Sequence, residues 1–162
     1  NISIPNSVTE IGLRAFGDCR NLKSINIPKS VKSIGAKAFY CCVKLKSITI
    51  PEGITKIENN TFDNCTALTT VNLPASLQEI GEDAFNACNK LTSITLPDGL
   101  TRIGNGAFAW CTGLQSITIP NSVTKIESYA FSWCKNLKYA TVPSHTIIGR
   151  EVFPDHTKVI RE

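Results

Sequence analysis

The chain has 162 residues, the size of one ordinary domain, and 42% of them are hydrophobic, enough to build a core. Its 17 basic and 13 acidic side chains leave a formal charge of +4, and the two signs alternate along the chain, which argues against a nucleic-acid partner. No apolar run approaches the roughly 18 residues of a bilayer span, and no basic, apolar leader opens the sequence.

From its first residues the chain follows a repeat. Pro5, Pro28, Pro51, Pro74, Pro97, Pro120 and Pro143 stand 23 residues apart, so seven of the eight prolines obey one period. The same step governs Phe16, Phe39, Phe62, Phe85, Phe108 and Phe131. It also governs the columns beginning at Cys19 and at Leu22. Such self-similarity predicts a stack of coils, each burying its apolar face against the next. The whole chain, residues 1–162, reads as a single repeat domain of about six full units plus partial ends. It opens at Asn1 already inside the pattern and contains no Met, which reads as an excerpt of a longer protein.

Each unit can be followed in chain order. In Leu22-Lys23-Ser24-Ile25-Asn26-Ile27-Pro28, alternating apolar residues predict a short strand, and proline ends it because its nitrogen cannot donate to a ladder. Ser30 and its equivalents suit a turn. Val31 and Ile34 then point inward across a bend. Ala38, Phe39 and Cys42, spaced i,i+1 and i,i+4, predict a short helical turn with one buried face. The expected architecture is therefore an α/β solenoid whose strands pair in a parallel ladder, with wider helical turns placing the strands on the concave side.

The pattern Leu-x-x-Ile-x-Ile-Pro-x-x-Val-x-x-Ile-Gly-x-x-Ala-Phe-x-x-Cys-x-x-Leu, from Leu22 to Leu45, resembles the BspA-type leucine-rich repeats, also called the Treponema-pallidum type. The resemblance covers nearly the whole chain and rests above all on Ala-Phe-x-x-Cys. It implies a right-handed leucine-rich-repeat superhelix. It further implies a bacterial surface or secreted protein, hence an extracellular or cell-surface location, and a role in adhesion through contacts with host matrix or cell-surface proteins.

Departures mark special places. Glu58 and Glu127 replace the glycine seen at Gly12, Gly35, Gly81 and Gly104, so that column tolerates a side chain. In the last unit Ala140 replaces the first strand Ile, and one residue is missing between Pro143 and Ile148. His156 falls where Cys is expected and Val159 where Leu is expected, a decay typical of end repeats. The first unit shows no such drift. An open coil there exposes strand edge and apolar surface, which further repeats, a cap or a second copy of the chain would cover.

Six of the seven cysteines fill one interior column. Their Cα spacing in a stack falls within disulfide range, but parallel side chains make poor bridge geometry, so buried free thiols are the favoured reading. One Cys per coil is no zinc motif. Cys41 shares a column with Asp18, Asn64, Ala87, Trp110 and Trp133; a partly covered, unreactive side chain is the favoured reading there, with an exposed thiol able to join two chains as the alternative. His145 and His156 have no recurring acidic or Ser partner, and no phosphate loop or paired carboxylate occurs, so neither catalysis nor a cofactor or metal is expected.

Two surfaces remain for binding. One is the outward strand column Asn26, Thr49, Asn72, Thr95, Thr118 and Thr141, flanked by Lys23, Lys46 and Lys138; the same residues can simply solvate a sheet. The other is Trp110 and Trp133, neighbours on successive coils, with Tyr129 on the second; this set either meets a partner or packs over its own turns. Three non-enzymatic functions follow: a protein-binding adhesion platform, a spacer that self-associates through open coil ends or Cys41, and carbohydrate binding through the Trp pair. Asn1-Ile2-Ser3, Asn59-Asn60-Thr61 and Asn64-Cys65-Thr66 match glycosylation acceptors.

Overall fold

The computed structural model describes residues 2–162, so the Asn1 acceptor pattern lies outside the described residues. Seven phenylalanines, from Phe16 to Phe153, stack ring on ring at 5.2–5.3 Å, one per turn of a parallel β-solenoid. Between Phe39 and Phe131 the rings are fully buried, as are the Ala38, Cys42 and Leu45 columns beside them. The core is thus a set of straight columns along one axis, as the 23-residue period requires.

One row of strands matches expectation. Ile25–Asn26, Ser47–Thr49, Thr70–Asn72, Ser116–Thr118 and Tyr139–Val142 place their apolar residue inward and their polar residues outward. Their pairing is parallel, with Ile48 beside Val71 and Ile117 beside Ala140. The row is interrupted at the Ile94–Leu96 segment, where no strand is assigned among the described residues.

A second row was not anticipated. Two-residue strands follow each bend, and Lys56–Ile57, Glu79–Ile80, Arg102–Ile103, Lys125–Ile126 and Ile147–Ile148 pair into a five-stranded parallel sheet. The serine between the rows does more than allow a turn. Ser30, Ser76 and Ser122 donate their hydroxyls to Val8, Ile54 and Leu100 carbonyls of the preceding coil.

The expected helical turn does not form, and the α/β description is corrected to an all-strand-and-turn solenoid: no helix occurs among the described residues. The cause is two left-handed residues per coil, such as Lys37 (φ 58°) and Cys41 (φ 56°). They divide the segment into consecutive tight turns. Ala38, Tyr40 and Cys42 donate backward to Gly35, Lys37 and Phe39. The alternate amides of Lys37, Phe39 and Cys41 instead donate to Asn59, Thr61 and Asp63 in the next coil. A helix would keep those bonds within its own turn; here every second one joins two coils.

The last coil also differs from its expected alignment. Ile126 pairs with Ile148, which confirms the missing residue after Pro143. Tyr139 pairs with Lys158 and Ala140 with Val159. Val159 therefore occupies the first-strand Ile column, not the Leu column, and His156 is exposed rather than filling the Cys position. From Phe131 to Tyr139 is eight residues, whereas from Phe153 to Lys158 is five, so the final turn is three residues short.

Candidate functional site

The tryptophan column repeats the geometry of the phenylalanine column on the outside of the molecule. Trp110 and Trp133 stack at 5.1 Å with 10° between planes, yet remain 43% and 59% exposed. Both occupy the left-handed corner, at φ 60°. Asp18 and Asn64, at the same corner, are residues that tolerate this conformation through local hydrogen bonding; an indole gains nothing there and pays a steric cost of about 1–2 kcal/mol. Backbone preference therefore does not account for two successive tryptophans. Tyr129, also exposed and left-handed, holds the other corner of the Trp133 coil.

Beside Trp133 lies a hollow of about 460 Å³, created where the short final turn leaves room. Its apolar lining is Trp133, Phe153 and Pro154; Lys135, Glu151, Asp155 and His156 stand around them.

The outward strand column is where the repeat places it. Asn26, Thr49, Asn72, Thr95 and Thr118 are exposed, while Thr141 is half-buried. Asn72 donates its amide to the Thr49 hydroxyl at 3.0 Å, so part of this column is engaged within the sheet.

Two features escaped the sequence reading. Along the second strand row, Lys56, Glu79 and Arg102 alternate in sign, Lys125 follows as a second cation beside Arg102, and the two odd glutamates join them. Glu58 pairs with Lys56 at 3.3 Å; Glu127 accepts from Arg102 at 2.8 Å, Lys125 at 3.1 Å and the Asn105 amide at 3.1 Å. The Arg102 hydrogen bond, first among these, holds the Glu127 carboxyl below its ordinary range. Tolerance in this glycine column is thus local. At Gly35 and Gly104 an added Cβ would meet the preceding coil's backbone at 2.7 Å. The second feature is Asp63, buried and receiving amide hydrogen bonds from Asn60, Asn64 and Asn86. Burial raises its carboxyl despite those donors.

All seven cysteines are free. Cys42, Cys65, Cys88, Cys111 and Cys134 each direct the thiol at a phenylalanine carbonyl of the preceding coil, 3.1–3.4 Å away. Burial pushes the Cys42 and Cys134 thiols up to about 12. Cys41 is half-buried. Two acceptor patterns are engaged in the fold: Asn59 accepts from the Glu82 amide, Thr61 is buried, and Asn64 donates to Asp63. Among the described residues no three His, Cys, Asp or Glu side chains converge to hold a metal. Nor is any helix there long and apolar enough to cross a membrane.

A family model for the BspA-type leucine-rich repeat region matches residues 1–89 and 32–160, in six copies. The chain belongs to this family. The BspA-type repeat is thus the unit whose turns, thiol bonds and ring stack are described above. Among solved structures, the leucine-rich repeat protein of T. pallidum is 31% identical, over 95% of this chain and 78% of that one, with a TM-score of 0.87. A leucine-rich repeat protein from Bacteroides ovatus is 26% identical over 99% of this chain and 59% of its own, with a TM-score of 0.66. A leucine-rich cell surface protein from Faecalibacterium prausnitzii is 30% identical over 99% of this chain and 60% of its own, with a TM-score of 0.59. The chain spans about three-fifths of the length of the last two. No curated protein is similar enough to count as a match.

Proposed function

We propose that this chain is a rigid protein-binding platform of a bacterial surface or secreted protein, and that Trp110 and Trp133 anchor the partner. The observation that carries this reading is the exposed, stacked indole pair at backbone corners that disfavour it. Large aromatic side chains present contact area at low entropic cost and are enriched in interface hot spots. Coil-to-coil hydrogen bonds from Trp110 to Ser132 and from Phe131 to Val152 hold the turns that carry the pair, so binding orders little else. The naming of one relative as a cell surface protein agrees with an extracellular location. An adhesive role, with a host matrix or cell-surface protein as partner, follows from the family resemblance.

The experiment is surface plasmon resonance against purified matrix and cell-surface proteins, comparing the parent with Trp110→Asn/Trp133→Asn. Asparagine suits the left-handed corner, so the fold should survive. Loss of binding with an unchanged circular dichroism spectrum supports the anchor. Equal binding by both proteins removes the pair from the interface.

A second reading, self-association, is favoured by one observation. On the first coil Leu13 is 72% exposed and Ile2 40%, beside a half-buried Phe16. Sedimentation velocity across a concentration series tests it: a rising mass that Leu13→Lys abolishes supports end-to-end association, and a constant monomer mass removes it. Repeating the series with reductant isolates any contribution of Cys41.

A further inference from the structure

We infer that the hollow beside Trp133 is a binding site for a neutral pyranose ring, such as the terminal sugar of a glycan. The site comes from the shortened final turn. In every regular coil the residue at the Trp133 corner donates its backbone amide to the next coil: Asp18 to Tyr40, Cys41 to Asp63, Asn64 to Asn86, Ala87 to Ala109 and Trp110 to Ser132. Trp133 makes no such bond, and the run of cross-coil bonds in its own turn ends at Phe131, which donates to Val152. One indole face, met in the Trp110 case by the next ring, is likewise left open toward the hollow. A missing piece of backbone has therefore uncovered both an aromatic plane and a fixed N–H donor.

The lining matches the two-sided chemistry of a sugar. A pyranose has a face of C–H groups that packs on an aromatic plane and a rim of hydroxyls that both donate and accept. Trp133, Phe153 and Pro154 supply the apolar side. Glu151 and Asp155 supply acceptors, while Lys135 and the Trp133 amide supply donors. A ring stacked on Trp133 would continue the 5.1 Å spacing already set by Trp110. The hollow, about 460 Å³, has the size of a small-molecule site. Two carboxylates against one ammonium disfavour an acidic sugar.

This site goes beyond the protein-anchor reading: it shares Trp133 with the stack, but Lys135, Glu151, Phe153, Pro154 and Asp155 lie outside it, so substitutions there test the sugar site alone. The test uses the full chain and methyl glycosides of glucose, galactose, mannose and N-acetylglucosamine, followed by saturation-transfer NMR and tryptophan fluorescence. At least one glycoside should bind saturably. Asp155→Ala and Glu151→Ala should each weaken it about tenfold or less, and Trp133→Asn should abolish it. N-acetylneuraminic acid should bind more weakly than the neutral sugars. No saturable signal from any of the four glycosides overturns the proposal, and so does binding that survives Trp133→Asn. A phenylalanine- or proline-containing peptide that binds where every sugar fails also overturns it, because the hollow would then be a peptide pocket. Protein capture that Trp110→Asn/Trp133→Asn abolishes but free glycoside and Asp155→Ala leave intact upholds the anchor independently of this result.

Discussion

The phenylalanine and tryptophan columns use the same period and nearly the same ring spacing, 5.2–5.3 Å against 5.1 Å, and differ in burial. Inside, each ring fills space that nothing else can fill, so the stack holds coils together. Outside, the second stack spends part of its aromatic surface on water and sits on a strained corner. Stacking of an aromatic pair contributes roughly 0.5–1.5 kcal/mol, about what a left-handed corner costs a residue with a bulky side chain. One such stack is set against two such corners, so the tryptophans add little net stability. The difference teaches that a repeat can carry an identical contact at two radii for two purposes.

The sharpest way to break this comparison is from the inside. Phe62→Ala, in the middle of the stack, should lower unfolding free energy by about 3–5 kcal/mol in urea titration. A loss below about 1 kcal/mol would mean the column is not structural. Gly104→Ala should follow at about 1–3 kcal/mol, because the added Cβ meets the backbone of Gly81. Cys88→Ala should cost about 1–2 kcal/mol, combining a small cavity with loss of the thiol bond to the Phe62 carbonyl. The buried thiols also predict a pH dependence. Their folded values lie above the ordinary 9.0, so the folded chain holds protons that the unfolded chain releases. That stability is complete below about pH 9 and is lost as pH rises toward about 12. Thermal melts from pH 8 to 11 should fall steeply, and less so in Cys88→Ala. The smallest effect belongs to the exposed ion ladder. Arg102→Ala should cost at most about 1 kcal/mol, with the loss shrinking in high salt.

Most of the fold was legible because a repeat averages its own noise. Six copies of Phe, Cys and Leu at one spacing left no other way to bury them. The helical turn was misread because Ala38, Phe39 and Cys42 point inward from two consecutive tight turns as well as from a helix; spacing alone does not separate the two. The signal was present at the corners, where Asp18, Asn60, Asn64 and Asp83 are residue types that favour left-handed backbone. The second strand row was missed because Lys56-Ile57 or Glu79-Ile80 is too short to show alternation. Read down the stack, however, the alternating charges of Lys56, Glu79 and Arg102 mark cross-strand pairs. Exposure of the Trp pair followed from its polar column. The hollow beside Trp133 did not, since counting residues cannot tell where the last turn is shortened; counting placed Val159 in the Leu column, whereas its pairing with Ala140 puts it in the strand.

The decisive measurement is the urea unfolding of Trp110→Asn/Trp133→Asn beside that of Phe62→Ala. The account predicts that the double tryptophan variant stays within about 1 kcal/mol of the parent while the phenylalanine variant loses several. A double variant that unfolds as readily as Phe62→Ala would show that the outer stack is part of the scaffold, and would contradict the division between the two columns.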